Sequence, residues 1–128
     1  MEKKIVLIAL LFGFISIVLG AFGAHALKKV LQTEQLNSFE VGVRYLMYHA
    51  IFLLFISNTS SLLSNQKSTI FYLTVLGVFL FSGSIFLLAT SAISGINFKF
   101  LGPITPIGGL LLISAWGMSF YYIILKKG

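Results

Sequence analysis

At 128 residues and without a cysteine, the chain has room for one domain and excludes disulfides, Cys-ligated metal and thiol catalysis. Only 9% of its residues are charged and 58% are hydrophobic, against roughly 25% charged in a soluble domain, so its surface must face something apolar and a bilayer is the simple solvent. The net charge of +6 does not point to nucleic acid, because Lys3, Lys4, Lys28, Lys29, Lys67, Lys99, Lys126 and Lys127 flank apolar runs, as headgroup anchors do, and build no stripe.

A hydrocarbon core of about 30 Å needs roughly 20 apolar residues of helix. Four stretches qualify: Ile5 to Leu27, Tyr45 to Leu63, Thr69 to Ile96, and Leu101 to Leu125. The first carries no charge and holds fourteen Leu, Ile, Val or Phe residues, which favours insertion by about 4 to 8 kcal/mol. A rival reading makes it a leader peptide, with Met1–Lys4 as the basic region and Ala24-His25-Ala26 as the cleavage site. Its apolar run exceeds the roughly 7–15 residues of such leaders, so the span is expected to be retained.

Between the first and second spans, Leu36, Phe39 and Val43 fall at helical spacing, with Glu34, Asn37 and Arg44 elsewhere on the wheel. Thr33–Arg44 therefore reads as a short amphipathic helix at the interface that runs into the second span, with Glu40 and Arg44 as an i,i+4 ion pair. The second span is the weakest: nine Leu, Ile or Phe residues, His49 inside, and Ser57-Asn58-Thr59-Ser60-Ser61 near its end. A turn at Ser64–Lys67 pairs it with the third span as a hairpin. The fold class follows: all-α, one domain over residues 1–128, an integral membrane bundle of four transmembrane helices plus the interfacial helix.

Four spans put both termini on one side, with Lys3, Lys4, Lys67, Lys126 and Lys127 there and Lys28, Lys29, Arg44 and Lys99 opposite. The positive-inside rule then favours cytoplasmic termini by one charge.

The same topology collects polar residues at the level of the first and third loops. His25 ends the first span; Arg44, Tyr45, Tyr48 and His49 begin the second; Ser91, Ser94 and Asn97 end the third; Thr105 begins the fourth. Tyr45 and His49 share a helix face, as do Arg44 and Tyr48. Two readings stand side by side. His25, Arg44, Tyr45, Tyr48, His49 and Thr105 could form a polar pocket, with the histidines as proton carriers or ligands. Alternatively, each histidine bonds to a carbonyl, a tyrosine hydroxyl or water near the interface, which suits groups that are not at mid-depth. No metal site is expected, because two histidines do not reach the three protein ligands of a catalytic zinc site. No cofactor is expected either.

Helix packing has its own candidates. Ser16, Gly20 and Ala24, with Gly23 beside them, form a small-residue face for close helix contact. Trp116 lies at the depth of Ser82-Gly83-Ser84, and a mid-span tryptophan is expected to pack inward, against the notch at Gly83. In Gly102-Pro103-Ile104-Thr105-Pro106-Ile107-Gly108-Gly109 the two prolines forbid regular helix before Pro106, so Pro106 suits the first helical turn with Thr105 as N-cap. Gly108 and Gly109 then allow a neighbour to approach closely.

Four blocks together carry a resemblance: Gly20-Ala21-Phe22-Gly23-Ala24-His25-Ala26-Leu27, Tyr45-Leu46-Met47-Tyr48-His49-Ala50, Phe81-Ser82-Gly83-Ser84, and Leu101 through Gly109 with Trp116. In this order they resemble the domain of unknown function 423 family of small bacterial membrane proteins, to which transmembrane protein 256 is related. Ala26 departs from the glycine frequent there and leaves His25 unaffected. The resemblance implies a multi-pass protein of the cell membrane with a retained first span, and it implies no reaction, substrate or cofactor.

No phosphate loop, Ser-His-Asp order or paired intramembrane carboxylate is present, and the acids are Glu2, Glu34 and Glu40. The expected function is therefore non-enzymatic: an accessory or assembly component, with the bilayer and a further copy or another membrane protein as partners and no nucleic acid. The alternative is a small-solute or proton pathway formed by an oligomer, with His49 and His25 near its mouth.

Overall fold

A computed structural model describes residues 2–126. Met1 and Lys127, which the sequence reading assigned to the basic flanks, lie outside the described residues. Among those described, four helices are long and apolar enough to cross a membrane. We label them α1 (Glu2–Leu27), α2 (Thr33–Asn58), α3 (Ser64–Ala89) and α4 (Ile104–Leu125). At about 1.5 Å per residue, 26 residues reach about 39 Å, enough for the hydrocarbon core and part of both headgroup layers. A helical turn at Ser91–Ser94 and a 3-10 turn at Lys99–Leu101 connect α3 to α4, with Gly95 in the left-handed region at φ 73°.

The expected interfacial helix is not a separate element. Thr33–Arg44 is the first half of α2, which runs unbroken to Asn58. Its apolar stripe faces other helices and not headgroups: Phe39 meets Phe86 of α3 with ring centroids 5.2 Å apart, and Val43 lies against Gly20 of α1. The expected Glu40–Arg44 pair is absent too; the ion pair formed among the described residues is Lys67–Glu2. The N-cap of α4 is Pro103, so Thr105 sits inside the first turn with Pro106 next to it. The second connection is Thr59–Leu63, and Ser64–Lys67 is already helix. Gln66 Oε1 accepts the Leu63 N–H at 2.9 Å, which satisfies one donor left over at that helix start.

The helices form a row in chain order. Neighbours in sequence pack together, and α2 and α3 occupy the inner positions. Of their apolar windows 44% and 39% is buried, against 22% in both α1 and α4, which identifies the latter as the outer pair. The core cluster joins Ile5, Ala9 and Phe12 of α1, Leu46, Leu53 and Ile56 of α2, Ile70 and Val78 of α3, and Leu112 and Ala115 of α4.

Small residues set the closest approaches. A Cβ added at Gly108 would collide with the Phe81 amide nitrogen and fall 2.7 Å from the Leu80 carbonyl carbon, so α3 and α4 touch backbone to backbone there. Gly77 makes room for the Leu112 side chain, and Gly42 for the Phe86 ring. Gly20 and Gly23 of α1 face Val43 and Phe39 of α2, which a Cβ added at either glycine would meet at 3.4 and 3.5 Å. Around Gly83 there is nothing within 4 Å, so the notch expected to receive Trp116 is unfilled.

Lys67 does not act as a headgroup anchor. It is buried, donating to Glu2 Oε1 at 2.7 Å and to the Ser57 carbonyl at 3.0 Å. It thereby binds one of the carbonyls that the end of α2 leaves unpaired, where a cation also complements the helix dipole. Lys126 binds the Ser60 carbonyl of the connection that follows α2, 2.8 Å away.

Both α1 and α3 contain one wide π-helical turn, at Leu19–Gly23 and Phe79–Gly83. The two turns flank the same stretch of α2. Gly20 lies on Val43, while Ser82 Oγ donates to the Gly42 carbonyl at 2.9 Å.

Candidate functional site

The side-chain hydrogen bond that joins α2 to α4, His49 to Trp116, lies at the seam between these helices. On α2, Tyr45, His49 and Phe52 follow i, i+4, i+7 spacing and so share one face. His49 is buried although it is ionisable. Its Nε2 accepts the Trp116 Nε1–H at 3.0 Å, and its Nδ1 lies 2.7 Å from the Tyr45 carbonyl. Indole N–H can only donate and a carbonyl can only accept. Both contacts hold together in one form of the ring alone: the neutral imidazole with its hydrogen on Nδ1.

Aromatic contacts complete the cluster. Trp116 stacks on Phe52 with centroids 4.2 Å apart and interplanar angle 27°, and meets His49 edge-on at 6.0 Å and 83°. Tyr45 packs on Phe81 of α3 at 4.8 Å. Such pairs contribute about 0.5–1.5 kcal/mol each beyond buried area. Trp116 itself remains 50% exposed, so it forms a ridge and not an inward plug. On one side of this ridge a cavity of about 620 Å³ is lined by Tyr45, His49, Phe81, Gly109, Leu112 and Ile113. Two further cavities, of about 410 and 350 Å³, lie along the other side of Trp116.

The remaining residues named from the sequence lie apart from this cluster. His25 is exposed near the end of α1 and lines none of these cavities. Ala24 adjoins it, half-buried. Arg44 is exposed on α2, one turn before Tyr48. Thr105 bonds to Ser84 at 2.6 Å and faces another cavity, of about 400 Å³, lined by Gln32, Glu34, Gln35 and Ser38 at the first-loop end of the molecule. Gly108 belongs to the α3–α4 contact, and a Cβ added at Gly109 would lie 3.6 Å from the Phe81 ring.

Serine hydroxyls at this depth are spent internally. Ser84 Oγ donates to backbone carbonyls of α3, Leu80 among them at 2.6 Å, and Ser119 Oγ donates to Ala115. Among the described residues no buried side-chain nitrogen or oxygen lacks a hydrogen-bond partner, and no three His, Asp or Glu side chains converge. Phe52 escaped the sequence reading, though it stands three residues after His49, on its face, and Phe81 entered that reading only within the block Phe81-Ser82-Gly83-Ser84, not as a partner of Tyr45. Gly42 and Gly77 escaped it as well, because a lone glycine in a helix shows nothing of what presses on it.

Comparison with known proteins agrees with this architecture. The family model described as protein of unknown function (DUF423) matches residues 19–109. A UPF0382 membrane protein of Staphylococcus haemolyticus is 39% identical over 116 residues, covering 91% of each chain. The UPF0382 membrane protein YwdK of Bacillus subtilis is 36% identical over 118 residues, covering 91% of this chain and 92% of its own. The UPF0382 inner membrane protein YgdD of Escherichia coli is 30% identical over 121 residues, covering 91% and 86%. No solved structure matches.

Proposed function

The chain belongs to the DUF423 family of membrane proteins, and from that premise we propose that it is a non-enzymatic accessory or assembly component of the cell membrane. The observation carrying this reading is the engagement of His49. A histidine that relays protons needs a ring nitrogen free to exchange them. Here one nitrogen bonds the carbonyl of its own helix and the other bonds α4, so the ring acts as a strut between α2 and α4. The hydroxyls of Ser82 and Ser84, the other groups at that depth suited to a polar path, are likewise bonded to carbonyls.

Such a component works through lateral contact. The outer faces of α1 and α4 expose Leu10, Phe14, Ile17, Ile113, Phe120 and Ile124 at bilayer depth, available to another copy or to a different membrane protein. The name of the Escherichia coli relative supports a place in the cell membrane, and the charge count supports cytoplasmic termini.

Proton flux into vesicles loaded with a pH dye tests the reading. Wild type, His49→Ala and empty vesicles are expected to give the same flux. A wild-type flux that His49→Ala removes would overturn the reading in favour of a pathway. Single cysteines at Phe14 and Ile113 of this cysteine-free chain test the assembly half. Crosslinking to a second polypeptide in native membranes is expected from at least one of them, and none from either would refute it.

A further inference from the structure

The cavity of about 620 Å³ beside Trp116 is lined from three helices: by Tyr45 and His49 of α2, by Phe81 of α3, and by Trp116, Gly109 and Gly117 of α4. Its size, and a lining that is apolar and aromatic with few polar groups, are those of a small-molecule site between helices. Missing side chains open it. A Cβ added at Gly117 would meet nothing within 4 Å, and one added at Gly109 would come no nearer than 3.6 Å to the Phe81 ring. Four of the lining side chains are rings, and they stand in more than one orientation. Tyr45 lies within 26° of the His49 plane, whereas Trp116 stands at 83° to it. A flat ring seated here can stack on one orientation while presenting its edge to the other, the two arrangements that aromatic pairs prefer. A saturated chain draws on neither.

Polar chemistry narrows the occupant further. No lining residue is an acid, a lysine or an arginine, so an ion would enter without a counter-charge. The Trp116 N–H and both His49 nitrogens are already bonded. The Tyr45 hydroxyl remains, with no hydrogen-bond partner among the described residues and its side chain 38% exposed. It can donate to a carbonyl oxygen. The ring faces of Tyr45 and Trp116 are electron-rich, so an electron-poor ring stacks on them best. Depth sets the last condition. Tyr45 and His49 lie near the middle of the 26-residue α2, and residues 109–117 lie inside α4, so whatever fills the cavity arrives dissolved in hydrocarbon.

We propose that this cavity is a binding site for a lipid-soluble quinone: an uncharged, planar, electron-poor ring that packs among Tyr45, Phe81 and Trp116 and accepts a hydrogen bond from the Tyr45 hydroxyl. The site holds the quinone, and no redox step is assigned to it. It goes beyond the accessory role and stands or falls separately, since that role is read by proton flux and crosslinking and this one by ligand quenching.

Trp116 is the single tryptophan, and a quinone in contact with it quenches its emission. Because Trp116 borders cavities on both flanks, two variants separate them. Of these cavities Gly117 lines only the proposed site, which Gly117→Leu fills; Ile51 lines only the opposite flank, which Ile51→Phe fills. The protein in phosphatidylcholine vesicles is titrated with a short-tailed ubiquinone, and tryptophan octyl ester in the same vesicles measures random collision. Wild-type quenching is expected to saturate, and that of the octyl ester to rise without saturating. Gly117→Leu is expected to abolish saturation, whereas Ile51→Phe retains it. Tyr45→Phe, which keeps the ring, is expected to weaken binding about five-fold through the lost hydrogen bond, and it carries the test should Gly117→Leu disturb the fold. A saturated alcohol with a tail of equal length is expected not to displace the quinone. Quenching of wild type that never saturates would overturn the proposal. So would saturation that survives Gly117→Leu in a folded protein or is lost equally with Ile51→Phe, and so would an affinity that Tyr45→Phe leaves unchanged. Displacement by the saturated alcohol would make the cavity a general slot for acyl chains and overturn it too.

Discussion

The His49–Trp116 bond can be weighed by a double-mutant cycle. His49→Phe leaves the Trp116 N–H without a partner, and Trp116→Phe leaves the His49 Nε2 lone pair without one, because the two groups bond each other at 3.0 Å. A buried polar group left unpaired costs about 1–3 kcal/mol. Replacing Trp116 also shortens the stack on Phe52, where the rings lie 4.2 Å apart, a pair worth about 0.5–1.5 kcal/mol. His49→Phe is thus expected to cost about 1–3 kcal/mol, and Trp116→Phe about 2–4 kcal/mol. The double variant strands neither group and should cost less than the sum, with a coupling of about 0.6–1.7 kcal/mol, the range of interhelical hydrogen bonds in membranes. Helicity by circular dichroism during unfolding from mild detergent into dodecyl sulfate measures all four proteins, since fluorescence is lost with Trp116. Strict additivity would refute the strut.

The same unfolding assay separates the glycines: Gly108→Val should destabilise by more than about 3 kcal/mol through backbone overlap with α3, whereas Gly83→Ala, where nothing lies within 4 Å, should be neutral or stabilise by up to about 1 kcal/mol. Lys67→Met should cost about 1–3 kcal/mol because the Ser57 carbonyl loses its charged donor at 3.0 Å, and Glu2→Gln, at a well-exposed partner, should cost well under 1 kcal/mol. For topology, cysteines replacing Val30 and Phe98 should label from one face of the membrane and a cysteine replacing Leu63 from the other. Labelling of the first two from opposite faces would contradict four spans.

The spans were legible because their signal is summed. Fourteen apolar residues between Ile5 and Leu27 outweigh any single polar one, and lysines fence each run. Element ends were less so. Phe39 and Val43 have the spacing of an interfacial stripe, yet the same spacing serves helix packing, and only Phe86 and Gly20 reveal which use is made of them. Pro103 and Pro106 announced a helix start, but which residue caps it depends on where Thr105 finds its partner, and that partner, Ser84, is 21 residues away. At the candidate site, the sequence brought Tyr45, Tyr48 and His49 together through helical spacing. It set Trp116 against Gly83, because equal depth was the available guide. Depth gives no direction around a helix, and that Trp116 meets Phe52 and His49 on α2 shows only in the packed structure.

The wide turns at Leu19–Gly23 and Phe79–Gly83 give the chain slack. A π turn is an α-helix holding one residue more than its hydrogen-bond ladder needs. Deleting Ala21 or Phe79 therefore lets the ladder close as ordinary α-helix and keeps the packed face of α1 or α3 in register. A deletion elsewhere in either helix swings everything beyond it by about 100° and turns the packed face toward lipid. The spare residue of each helix sits beside the same stretch of α2, so each of the two neighbours of that central helix can lose one residue at this common depth without unseating the seam where α2 meets α4.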